Sequence, residues 1–159
     1  MHLIMGIDPD VEKNGIAFWD VNQGKLILNN WRFPILMERM QTRAMKAAVG
    51  RIRVEAGWLN KPSNWHKLKV KPTTPQADKI KIFEKISQKV GRNHQTGILI
   101  VECLRHFGYN VEEVKPIGKV WDSHEKFVRA TGYDGKRSNQ ETRDAAALVY
   151  AMQSMRSPW

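Results

Sequence analysis

The chain opens on a continuous apolar run, Leu3-Ile4-Met5-Gly6-Ile7, that ends in Asp8-Pro9-Asp10. A run of that length closed by turn residues predicts a central strand buried on both faces, with Asp8 at its exit. Asn14-Gly15 then signals a tight reversal into Ile16-Ala17-Phe18-Trp19, and Asn22-Gln23-Gly24-Lys25 a second one into Lys25-Leu26-Ile27-Leu28. The first thirty or so residues therefore read as a three-stranded antiparallel meander. From Pro34 to Val49 the apolar positions Ile35, Leu36, Met40 and Ala44 recur at helical spacing. Arg51-Ile52-Arg53-Val54-Glu55 alternates as a half-buried strand and Gly57 closes it.

A long helix is expected over about Gln76 to Phe107, bent near Gly91 and Gly97, with Ile98 to Leu104 apolar almost all round and buried. Tyr109 to Val114 reads as a short strand, Trp121 to Thr131 as a helix, Gly132 to Gly135 as a turn and Ser138 to Met155 as a last helix. A strand, helix, strand path from Glu55 to Val114 favours parallel pairing. The expectation is one α/β domain over residues 1–159, with a mixed five-stranded sheet: the three-stranded meander plus two parallel strands, flanked by helices. No internal repeat is visible.

Charge changes the picture. With 26 Lys and Arg against 16 Asp and Glu the formal net charge is +10, the footprint of a polyanion binder. The segment from Gly57 to Lys81 interleaves Trp58, Trp65 and His66 with Lys61, Lys67, Lys69, Lys71, Lys79 and Lys81. Such alternation neutralises phosphates while offering ring faces to unstacked bases. The plainer reading is a solvated loop whose tryptophans tuck back onto the core. Cys103 is the single cysteine, which excludes an intramolecular disulfide and disfavours a Cys-based zinc site. No apolar stretch approaches the roughly 18–20 residues needed to span a bilayer, and no cleavable leader is apparent. A soluble, cytoplasmic protein is expected.

Four acids carry the candidate chemistry. Asp8 and Glu55 end strands, and Glu141 and Asp144 open the last helix. Glu141 has a structural alternative, because Ser138-Asn139-Gln140-Glu141 has capping-box spacing. Asp144 heads an apolar run, and its helical neighbours Gln140, Glu141, Ala147 and Leu148 include no cation, so it needs a positive partner from elsewhere. Clustered, the four could not all ionise at neutral pH without a cation. An all-oxygen donor set favours Mg²⁺ or Mn²⁺, and two such ions about 3.5–4 Å apart would suit phosphodiester cleavage.

Gly6-Ile7-Asp8-Pro9, the strand ending in Glu55, and Glu141-x-x-Asp144-Ala145 at the head of an alanine-rich helix resemble the RuvC-type Holliday-junction resolvases of the ribonuclease H-like superfamily. The resemblance covers nearly the whole chain in element order. It implies a Mg²⁺-dependent, structure-selective endodeoxyribonuclease with two metal ions per site, Mn²⁺ as a substitute, and Asp8, Glu55, Glu141 and Asp144 as ligands. It implies a homodimer that nicks opposed strands of a four-way junction symmetrically. Trp58 matches an aromatic at the junction centre, Arg92 a DNA-facing and dimer-forming stretch of the long helix, Pro116 and Lys119 a proline-lysine segment after the fifth strand, and Lys126 a lysine near the scissile phosphate. This chain departs from the pattern in carrying Asp10 where glycine is common, Glu141 where Asp or His is usual, a shortened glycine-rich stretch and a long basic insert after Glu55. These point to a divergent branch of phage or mobile-element type. Two other readings stand beside it: a ribonuclease H-like nuclease of flaps or RNA–DNA hybrids, and a non-catalytic nucleic-acid-binding module.

Overall fold

The computed structural model describes residues 1–60, 71 and 73–154, the last four of these by backbone alone. Five strands form one sheet: β1 (Leu3–Asp8), β2 (Asn14–Asp20), β3 (Lys25–Trp31), β4 (Val49–Glu55) and β5 (Val111–Val114), in the order β3-β2-β1-β4-β5. β1 to β3 pair antiparallel, and β4 pairs parallel with both β1 and β5. The helices are α1 (Phe33–Met40), α2 (Arg43–Ala48), α3 (Gln76–His106), α4 (His124–Thr131) and α5 (Gln140–Ser154), with a short 3₁₀ turn at Gly57–Leu59.

Both faces of the sheet are covered, which is why β2 is buried at every position. Met5, Ile7, Ile16, Phe18, Ile52 and Val54 point to one side and pack on α1 and α3 through Leu36, Met40, Ile100 and Leu104. The alternate residues Ala17 and Trp19 point to the other, against Ala145, Ala146 and Val149 of α5 and Phe127 of α4. Among the described residues no helix is long and apolar enough to cross a membrane.

Several boundaries differ from the sequence reading, each for a local reason. Asn14 and Gly15 belong to β2 and not to the turn before it: the buried Asn14 side chain accepts from Asp10 N at 3.1 Å and donates to Trp31 O at 2.9 Å. The helix expected from Pro34 to Val49 is two helices, because the Thr42 hydroxyl donates to Arg39 O at 2.8 Å and accepts from Met45 N at 3.3 Å. It closes α1 and caps α2. Val49 is extended and buried, so β4 starts two residues before Arg51.

α3 runs unbroken through Gly91 and Gly97. Only one face of its second half is buried: Ile100, Val101 and Leu104 are covered whereas Leu99 is 41 % exposed. β5 begins at Val111, and Tyr109 instead donates its hydroxyl to Met40 O at 2.6 Å. Trp121 precedes α4, whose cap is Ser123, accepting from Lys126 N at 3.2 Å.

Candidate functional site

Parallel pairing puts the first two acids side by side. Ile7 of β1 is in register with Val54 of β4, so the next residues, Asp8 and Glu55, leave the sheet together at the same edge. Helix α5 supplies the other two. It crosses β2 and β1 at very short range because Gly6 and Gly15 present no side chain: a β-carbon on Gly6 would overlap the Ala145 carbonyl oxygen, and one on Gly15 that of Glu141. This brings Glu141 and Asp144 to the edge where Asp8 and Glu55 emerge.

Electrostatics records the crowding. Burial, followed by the charges of Glu55, Asp144, Glu141 and Asp10, pushes the Asp8 carboxyl up to about 8. Burial and then Asp144 push Glu55 to about 7. Asp144 is also raised, chiefly by burial, with partial relief from a Gln140 hydrogen bond and from the Lys119 and Arg143 charges. Among the described residues none of the four acids sits in an ion pair. Nor do any three acidic, histidine or cysteine side chains among them close around a point that a metal ion could take. The four share one field without forming a finished cage. Their chemistry fits a hard divalent cation: all donors are oxygen, and the Lys119 and Arg143 charges relieve only part of the crowding, at Asp144.

Glu141 is not a cap. The side chain of Asn139 accepts from Thr142 N at 2.9 Å, and the Thr142 hydroxyl accepts from Asn139 N at 3.2 Å, so the reciprocal cap lies one residue later than the Ser138 spacing implied. Glu141 is left without that structural task.

Asp8 and Glu55 line a cleft of ≈ 310 Å³ with Trp58, Asn93, His94 and Pro116; Glu141 and Asp144 are outside its lining. Trp58 is half-buried and fixed. Its Nε1 donates to Glu113 Oε2 at 2.9 Å, Glu113 pairs with Arg105 at 2.9 Å, and the ring lies on Gly97, where a β-carbon would be 2.8 Å from Cη2. Asp10 is occupied in the turn: its carboxylate accepts from Glu12 N at 2.8 Å and from Asn93 Nδ2 at 3.1 Å, while Asn93 Oδ1 accepts from Val11 N at 3.1 Å. Asn93 thereby ties the β1–β2 turn to α3.

The candidate DNA contacts are dispersed. Lys61, Trp65, Lys67 and Lys69 lie outside the described residues. Lys71 and Arg92 are exposed, Arg92 on α3. Lys119 is exposed on the segment between β5 and α4, with its charge felt at Asp144. Lys126 is spent locally, donating from the first turn of α4 to Asp122, just before the helix, at 2.8 Å, and this bond holds the Asp122 carboxyl below its usual range. Asn93, His94 and Gln140 were not apparent from sequence. Asn93 and His94 leave only the trace of two polar residues one turn before Gly97 in a helix, and Gln140 that of an amide four residues before Asp144.

The architecture defines a ribonuclease H-like α/β fold, a mixed five-stranded sheet between two helical layers. It is, more narrowly, a divergent RuvC-like fold. The structure of T. thermophilus RuvC in complex with a Holliday junction substrate superposes over 100 % of both chains with a TM-score of 0.53 at 13 % identity. A second Thermus thermophilus RuvC structure covers 99 % of each chain, with a TM-score of 0.44 and 13 % identity. No family model matches the chain, and no curated protein matches it by sequence.

Proposed function

We propose that this chain is a Mg²⁺-dependent endodeoxyribonuclease that resolves four-way DNA junctions by paired symmetric nicks. One observation carries the reading: Asp8, Glu55, Glu141 and Asp144 share one electrostatic field at one sheet edge, where burial and the neighbouring acids push the Asp8 carboxyl up to about 8. Such an arrangement is costly unless a divalent ion or a phosphate-bound ion enters. The RuvC-like fold supports it, and the junction held by the T. thermophilus protein supports branched DNA as the substrate class.

In this reading the four carboxylates would hold two Mg²⁺ ions, with Mn²⁺ as a substitute, and the metal would supply Lewis-acid activation and charge stabilisation for phosphodiester cleavage. Asp8 and Glu55, whose carboxyls are raised to about 8 and 7, would have to give up their protons to serve as ligands. Lys119 lends positive charge beside Asp144. Trp58, braced by Glu113, offers a ring at the cleft that holds Asp8 and Glu55. Arg92 and the basic segment with Lys61, Trp65, Lys67, Lys69 and Lys71 take the phosphate backbone. Symmetric cutting needs two sites at a fixed separation, so the active form is a homodimer, working in the cytoplasm.

The test is cleavage of a labelled synthetic four-way junction in Mg²⁺, beside linear duplex, flap and RNA–DNA hybrid, with Asp8→Asn and Asp144→Asn. Paired nicks in the junction alone, lost in both variants while binding persists, are expected. Cutting of flaps or hybrids only would replace the substrate, and tight binding with no cutting in Mg²⁺ or Mn²⁺ would overturn the enzyme.

A further inference from the structure

Arg143, next to Asp144 in sequence, is 7 % exposed, and every nitrogen of its guanidinium is engaged. Nε donates to Trp121 O at 3.1 Å, Nη1 to Ser138 O at 2.9 Å and Ser138 Oγ at 3.2 Å, and Nη2 to Gln140 Oε1 at 3.0 Å. A guanidinium has donors only. Gln140 must therefore turn its oxygen toward Arg143 and its NH₂ the other way. That NH₂ reaches Asp144 Oδ1 at 2.6 Å and Trp121 O at 3.2 Å. Turned over, the amide would set its oxygen against a carboxylate and a carbonyl while two N–H groups faced each other. Arg143 thus decides which end of Gln140 meets Asp144.

The other shared partner is the Trp121 carbonyl, which receives both Arg143 and Gln140. It lies in the segment between β5 and α4, the stretch that carries Lys119. Trp121 is held from its ring side as well, edge-on to Phe127 at 5.1 Å and to Tyr150 at 5.8 Å. One buried guanidinium therefore joins the first turn of α5 to the segment that brings a lysine toward it. Neither residue belongs to the four acids.

We infer that Arg143 and Gln140 are positioning residues: Arg143 clamps the 115–123 segment to α5 through Trp121 O, and fixes the Gln140 amide so that it aims an N–H at Asp144 Oδ1. The role assigned to Asp144 rests on the proposed nuclease site; the clamp does not. Outer partners of this kind orient the groups that bind a metal, and their loss typically costs 10–100-fold in affinity or activity.

Two readouts other than cleavage test it. The first is trypsin cutting after Lys119 in the metal-free, DNA-free chain. Arg143→Gln should be cut there about fivefold faster or more, Arg143→Lys at an intermediate rate, and cutting after Lys25 should stay as in the parent. If the glutamine variant does not fold, the lysine variant alone decides. Equal rates after Lys119 overturn the clamp. The second is Mn²⁺ binding followed by its EPR signal: Gln140→Leu, which leaves Arg143 on Trp121 and Ser138, should bind about tenfold more weakly while its Lys119 cutting stays near the parent rate. Unchanged Mn²⁺ affinity overturns the orienting role. A parent chain that binds no Mn²⁺ and cuts no junction overturns the nuclease reading instead, and the trypsin comparison still decides the clamp.

Discussion

Gly15 of β2 lies directly beneath the backbone carbonyl of Glu141, so close that no β-carbon fits between them. The same holds for Gly6 beneath Ala145 one strand over. These two hydrogens-only positions set the height of α5 above the sheet, and with it the distance from Glu141 and Asp144 to Asp8.

Gly15→Ala should lift α5 and destabilise the fold by about 1–3 kcal/mol, the range for overpacking a tight interface. Cleavage should fall further than stability explains. Gly91→Ala is the control. Its β-carbon meets nothing within 4 Å in the middle of α3, so it should stabilise by up to about 1 kcal/mol. Urea unfolding of both variants checks this; a neutral Gly15→Ala would mean that α5 is not seated as described.

Stability in the absence of metal should fall as pH rises. Asp8 and Glu55 have folded values near 8 and 7 against ordinary values of 3.8 and 4.5. Between about pH 4 and 8 the folded chain therefore holds protons that the unfolded chain has released, and stability declines across that window and levels off above it, by several kcal/mol in order of magnitude. Asp8→Asn should remove much of the slope and be more stable than the parent at pH 8 by on the order of 2 kcal/mol, although inactive. Excess Mg²⁺ should flatten the parent's curve. Parallel unfolding curves for parent and Asp8→Asn from pH 5 to 8 would refute it.

Capping and ligation separate cleanly on α5. Asn139→Ala should cost about 1 kcal/mol, since Asn139 and Thr142 cap each other's backbone. Glu141→Gln should leave stability within about 0.5 kcal/mol and reduce junction cleavage about tenfold or more. Unfolding midpoints and single-turnover rates on the two variants read the two effects independently. Full activity in Glu141→Gln would leave the site with three acids.

At Trp58 the ring and its N–H can be told apart. Trp58→Phe keeps an aromatic face over Gly97 but loses the bond to Glu113, for about 1 kcal/mol of stability. Trp58→Ala removes the ring, and if the ring meets an unstacked base, turnover on a junction should drop roughly tenfold beyond the phenylalanine variant. Equal turnover in the two would make Trp58 a packing residue only.

The strands and the order of the elements were legible because apolar runs and alternation are local signals. Asp8 and Glu55 could be placed at strand ends from Leu3 to Ile7 and from Ile52 and Val54 alone. What failed to show were choices made by contacts distant in sequence. Asn14-Gly15 reads as a turn, yet Asn14 is buried to hold Trp31 and Gly15 exists to admit Glu141. Ser138 and Asn139 are both good caps, and only the backbone path picks the second. The role of Arg143 is hidden in the sequence because two of its partners, the carbonyls of Trp121 and Ser138, are backbone groups that no side-chain pattern announces.

α5 lies late in the chain and yet carries half of the acids. A polypeptide made from its N-terminus completes β1, β4 and the cleft around Asp8 and Glu55 well before Glu141 and Asp144 have been joined to it. Until that helix settles onto Gly6 and Gly15 the strand ends present only two of the four acids. If the four acids act together as proposed, the site is therefore incomplete until the last helix has docked.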